Sequence, residues 1–104
     1  MTTIHVKDAP DNKREVRALK KTKFLVIHAS VDFEGFFDIS HIPTGYRVVS
    51  CDSLAHAKEF LKAIEGFDWN FKTPLDKPAG LNEQMSDAYK NFKQKNGYHS
   101  ARMR

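Results

Sequence analysis

Residues 36–51 constrain this chain more tightly than any other stretch. Phe36–Ile42 (FFDISHI) alternates, Pro43-Thr44-Gly45 interrupts it, and Tyr46–Cys51 (YRVVSC) resumes an extended, β-branched pattern. Proline presets φ for the first central position of a turn, and glycine accepts the left-handed conformation that closes a three-residue loop. The stretch therefore predicts a β-hairpin. In extended backbone, Phe37, Ile39 and His41 share one face, and Phe36, Asp38, Ser40 and Ile42 share the other. Asp38 and Ser40 read as part of a solvated face.

A helix follows directly. Asp52 or Ser53 can accept a hydrogen bond from the free N–H groups of a first turn. Leu54, Ala57, Leu61 and Ile64 recur at helical spacing, Phe60 widens the stripe, and Gly66 is a stop signal. The spacing predicts a helix over residues 53–65. Phe24-Leu25-Val26-Ile27, the most apolar run, predicts a strand buried on both faces. Residues 82–95 predict a second helix with Met85, Ala88, Tyr89 and Phe92 on one face, ended by Asn96-Gly97.

These elements give the expected fold class: α+β, a three-stranded antiparallel sheet packed against one helix, with a second C-terminal helix. The second helix would cover more of the sheet or pair with another copy. Phe24, Val26, Ile39, Val48, Leu54, Ala57, Leu61 and Ile64 form the expected core.

Length and composition fit one small domain over residues 1–104, with its core in 23–95. Residues 2–7 could form a short edge strand, and residues 13–21 one or two marginal helical turns. The basic segment 8–22 and the tail 97–104 are expected to be flexible. Net charge is +4 over residues 1–23, −4 over 24–76 and +4 over 77–104. Positive charge on mobile ends suits solubility better than a folded nucleic-acid face. No run reaches the roughly 20 apolar residues of a membrane span, and no signal-peptide pattern opens the chain. One cysteine, Cys51, excludes an internal disulfide. A cytoplasmic, reducing setting is the resulting expectation.

Candidate chemistry is sparse. His5, His28, His41, His56 and His99 are scattered, without the close ligand pairs of common zinc motifs, so no metal or cofactor is expected. Cys51 could act as a nucleophile with His28 or His41 nearby, but a cysteine ending a strand more often packs in a core. Asp38 and His41, three apart, face opposite sides of a strand and make no simple acid–base dyad. Phosphate-loop, HExxH and G-x-S-x-G motifs are missing. An enzyme is not expected.

What remains is binding. Aromatics near turns, interleaved with acids, suit a protein partner: Asp32, Phe33, Glu34, Phe36, Asp38, Asp68 and Trp69. The cluster Phe67, Trp69 and Phe71 also reads as a lid over the sheet. The alternative is a DNA- or RNA-binding module using Lys13, Arg14, Arg17, Lys20, Lys21, Arg47, Lys93 and Lys95. The chain would act as a monomer or homodimer, without a membrane.

The order of three strands and a helix opening Ser53-Leu54-Ala55-His56-Ala57-Lys58 resembles, over residues 23–65, plant AP2-type and integrase arm-binding domains. That resemblance implies DNA reading by a sheet rich in Arg and Lys, whereas strands 24–51 here offer only Arg47. The string His41-Ile42-Pro43-Thr44-Gly45, with the strand and helix after it, is similar to short orphan accessory proteins of bacteriophages and prophages. It implies a non-enzymatic accessory protein or inhibitor that modulates a host protein by direct contact.

Overall fold

The computed structural model describes residues 3–9, 12–31 and 33–103, with side chains from His5, Val6 and Glu15 onward. In chain order it contains β1 (Thr3–Ala9), β2 (Asn12–Arg17), β3 (Lys20–Lys21), β4 (Leu25–Ala29), β5 (Phe37–His41), β6 (Arg47–Cys51), α1 (Leu54–Ile64), a 3-10 turn (Pro74–Asp76), α2 (Leu81–Asn96) and β7 (Ala101–Arg102). Strands β3-β4-β5-β6-β7 form one antiparallel sheet, and β1-β2 form a second, two-stranded one.

The expected hairpin is β5 and β6, with Gly45 at φ 76° closing its turn. Ile39 pairs with Val49, but Ser40 pairs with Arg47, so Val48 is an extra residue that bulges the ladder. The helix α1 begins where its cap predicts: Ser53 Oγ accepts the His56 N–H at 3.1 Å. Its buried residues, Ala57, Phe60, Leu61 and Ile64, pack on Leu25, Ile27, Ile39, Val49 and Cys51 of the sheet. Helix α2 adds Leu81, Met85 and Phe92 to the same cluster. Phe60 and Phe92 meet with ring centroids 5.0 Å apart. Phe24, Val48 and Leu54 of the expected core are half-buried against the cluster, whereas Val26 is fully buried outside it.

The expected three-stranded sheet is thus corrected to five strands plus a separate hairpin. Residues 13–21 are not helical turns. With only Val16 and Leu19 as apolar residues they cannot sustain an isolated helix, and pairing supplies their backbone partners instead. Val16 pairs with Ile4, and the Leu19 N–H donates to the Ile27 carbonyl at 2.8 Å. The C-terminal end is also part of the sheet. Gly97, at φ 105°, reverses the chain after α2. The Ser100 hydroxyl donates to the Gly97 carbonyl at 2.7 Å, and the Ser100 carbonyl accepts the Asp52 N–H at 3.0 Å. The Tyr89 hydroxyl donates to the Ala101 carbonyl at 3.1 Å and ties β7 to α2.

Helix α1 contacts β4, β5 and β6. Strand β2 contacts β4 and β1 contacts β6, so the small hairpin spans β5 on the face that α1 leaves open. Among the described residues, no helix is long and apolar enough to cross a membrane.

Candidate partner-binding site

The face of the sheet beneath the β1-β2 hairpin is polar and yet buried. Cross-strand register stacks His28 against Asp38 and Asp38 against Ser50, with Val26 beside Ser40. His28, Asp38, Ser40 and Ser50 are each about 1% exposed. The Ser50 hydroxyl donates to Asp38 Oδ1 at 2.5 Å, and Arg47 Nη1 lies 3.8 Å from Asp38 Oδ2. The Ala29 carbonyl can only accept, so His28 Nδ1 donates to it at 2.8 Å; Nε2 then accepts from the Ser40 hydroxyl at 2.8 Å. The solvated face expected for Asp38 and Ser40 is instead a closed hydrogen-bonded layer, because the small hairpin and the β4–β5 loop lie over it.

That loop presents the most exposed part of the site. Ser30 Oγ accepts the Phe33 N–H at 3.1 Å, the Phe33 carbonyl accepts the Phe36 N–H at 3.1 Å, and Gly35 takes the left-handed φ of 84° that the tight turn requires. The Phe33 ring, 37% exposed, is flanked by two guanidinium groups. Arg47 Cζ lies 5.4 Å from its centroid and Arg102 Cζ 5.7 Å. Arg102 also lies 5.3 Å from the Phe36 centroid, and the two rings are 6.0 Å apart. Guanidinium over an aromatic face is an attraction of about 0.5–1 kcal/mol at an exposed site. Asp38 fixes Arg47 from below. Among the described residues, Arg102 has no carboxylate partner within salt-bridge distance.

The structure therefore joins Phe33, Phe36 and Asp38 from the protein-binding set with Arg47 from the nucleic-acid set. Glu34 is exposed in the same loop, while Asp32 lies outside the described residues. Asp68 is exposed elsewhere and accepts the Asn70 N–H. Trp69 is corrected from a surface anchor to a core residue, 4% exposed. Its indole N–H donates at 2.8 Å to the Ile64 carbonyl, which also accepts the Phe67 N–H at 3.0 Å at the end of α1. Of the basic set, the side chains of Lys13 and Arg14 lie outside the described residues, and Arg17, Lys20 and Lys21 are exposed on β2 and β3. Lys93 sits on α2 over the Tyr98 and Tyr89 rings, and Lys95 lies 3.6 Å from Glu59. These cations occupy separate elements. Arg102 enters the site only because β7 forms; its one sequence signal is a basic residue beside the buried Ser100-Ala101 pair.

The candidate nucleophile and bases are enclosed. Burial pushes the Cys51 thiol up to about 12, and the Asp52 and Asp38 carboxylates add to the rise. His41 Nε2 donates to the Trp69 carbonyl at 2.7 Å, and Nδ1 accepts from the Thr44 hydroxyl at 3.0 Å. Burial lowers its pKa below the usual imidazole value; the Trp69 carbonyl opposes this and the Lys77 charge adds to it. His56 Nδ1 lies 2.5 Å from Asp52 Oδ1 at the start of α1. No protein-family model, curated protein or solved structure matches the chain.

Proposed function

We propose that this chain is a non-enzymatic module that binds another protein by direct contact, with the Phe33–Phe36–Arg47–Arg102 surface as its centre. One observation supports this above the rest: an exposed phenylalanine with two arginine guanidinium groups 5.4 and 5.7 Å from its ring centroid, one of which lacks a carboxylate partner among the described residues. Aromatic and arginine side chains carry most of the energy in protein interfaces. A guanidinium already placed beside a ring loses less freedom when it takes up a carboxylate. The favoured partner surface offers an Asp or Glu beside an apolar patch. An accessory role that modulates the bound protein belongs to the same proposal, and the resemblance of residues 41–65 to short phage proteins supports it.

The test is affinity capture with the wild-type chain and with Phe33→Ser and Arg102→Ala, all checked for native unfolding midpoints. A specific protein held by the wild type and lost from both variants supports the reading. Recovery of nuclease-sensitive nucleic acid alone, with strongly salt-dependent retention, contradicts it.

A further inference from the structure

A second feature borders the aromatic–arginine surface and shares Arg47 with it. The irregular segment after α1 folds back over the open end of β5 and β6 and leaves a groove of about 450 Å³. Tyr46, Val48, Phe71, Leu81, Met85 and Met103 supply most of its apolar wall. His41 closes the floor, stacked on Phe71 at 4.3 Å between centroids. Both its ring nitrogens are engaged, and its lowered pKa keeps it neutral near pH 7. The volume lies within the roughly 300–1,000 Å³ of small-molecule sites.

The charge of the lining is one-sided. Among the described residues, Arg47 and Lys77 line the groove and no Asp or Glu does. Arg47 already has Asp38 within 3.8 Å. Among the described residues, Lys77 has only a neutral partner, the side-chain carbonyl oxygen of Asn82, at 3.4 Å. Its charge reaches the interior, since it is one of the influences on His41. The 3-10 turn beside Lys77 also exposes Leu75 almost completely.

We propose that this groove binds a small carboxylate with an apolar or aromatic body, the body lying between Phe71, Met85 and Val48 and the carboxylate meeting Lys77 and Asn82. The ammonium and the Asn82 amide group donate to the two carboxylate oxygens, and the Asn82 amide turns from its present contact to do so. A neutral ligand of the same shape fills the wall but leaves Lys77 without an anion. A dicarboxylate or a sugar has too little apolar surface for this lining.

The probe pair is 2-naphthylacetate and its neutral amide, titrated into the full chain by calorimetry and by amide chemical-shift mapping. Trp69, the single tryptophan, lines the groove and gives a fluorescence readout. The expected result is acid binding about 5-fold tighter than amide binding, an advantage that shrinks with added salt. Perturbed resonances should centre on residues 71–85 and on Val48. Lys77→Met, an exposed position, should abolish the preference for the acid while leaving amide affinity in place. Equal affinity for acid and amide, perturbations centred elsewhere, or no binding at about 1 mM ligand each overturns the proposal. None of these results bears on Phe33 or Arg102, so the protein-binding proposal stands or falls separately.

Discussion

The two faces of the five-stranded sheet are both covered, and the means differ. Toward α1 and α2 the contacts are apolar throughout: Leu25, Ile27, Ile39 and Val49 meet Phe60, Leu61 and Ile64. Toward the β1-β2 hairpin, His28, Asp38, Ser40, Ser50 and Arg47 neutralise one another by hydrogen bonds and an ion pair. An apolar face tolerates approximate packing, because its energy scales with area. A buried polar face does not, because a donor or acceptor left alone keeps its full desolvation penalty. The proposed binding surface lies on the second kind of face, where Asp38 pairs with Arg47 beneath Phe33.

The largest effect should come from the apolar side. Phe60 is fully buried and touches both helices' share of the core, so Phe60→Ala should destabilise by about 3–5 kcal/mol in denaturant unfolding. On the polar side, Asp38→Ala removes the acceptor of the Ser50 hydroxyl and the Arg47 ion pair and should cost about 2–3 kcal/mol, since Arg47 keeps some access to water. Adding Ser50→Ala should then cost little more, because the orphaned hydroxyl is removed with its partner. Additive losses would break the distinction between the faces.

Sequence and structure agree best where local signals coincide with the apolar face. The Pro43-Thr44-Gly45 turn, the Ser53 cap, the stripe of α1 and the Gly97 end of α2 all act over a few residues, and each is legible. The hairpin β1-β2 was not legible as a cover, because Asn12–Arg17 carries too little apolar residue content to mark a buried side. Its position depends on contacts with β4 and β6 that no local pattern encodes. For the same reason Asp38 and Ser40 read as solvated. Phe33 and Phe36 were legible as candidate anchors; Arg102 was not, since β7 exists only through the Gly97 reversal and the Asp52–Ser100 hydrogen bond.

Smaller effects sharpen the border between the two regions. Trp69→Phe keeps the ring but loses the donor to the Ile64 carbonyl, and should cost about 1–2 kcal/mol. His41 gives the pH dependence. A base whose folded pKa lies below its unfolded value takes up a proton on unfolding. Its stabilising contribution is therefore complete above the ordinary imidazole value of 6.5 and is lost as pH falls from there toward the lower folded value. The thermal midpoint of the wild type should drop over that window, and His41→Gln should drop less.

The most direct test of a covered polar face is the imidazole of His28. Long-range proton–nitrogen NMR at neutral pH should show one tautomer, protonated at Nδ1, with an N–H that exchanges slowly with water because the Ala29 carbonyl and the overlying hairpin hold it. A ring averaging between tautomers, with its N–H lost to rapid solvent exchange, would contradict the account.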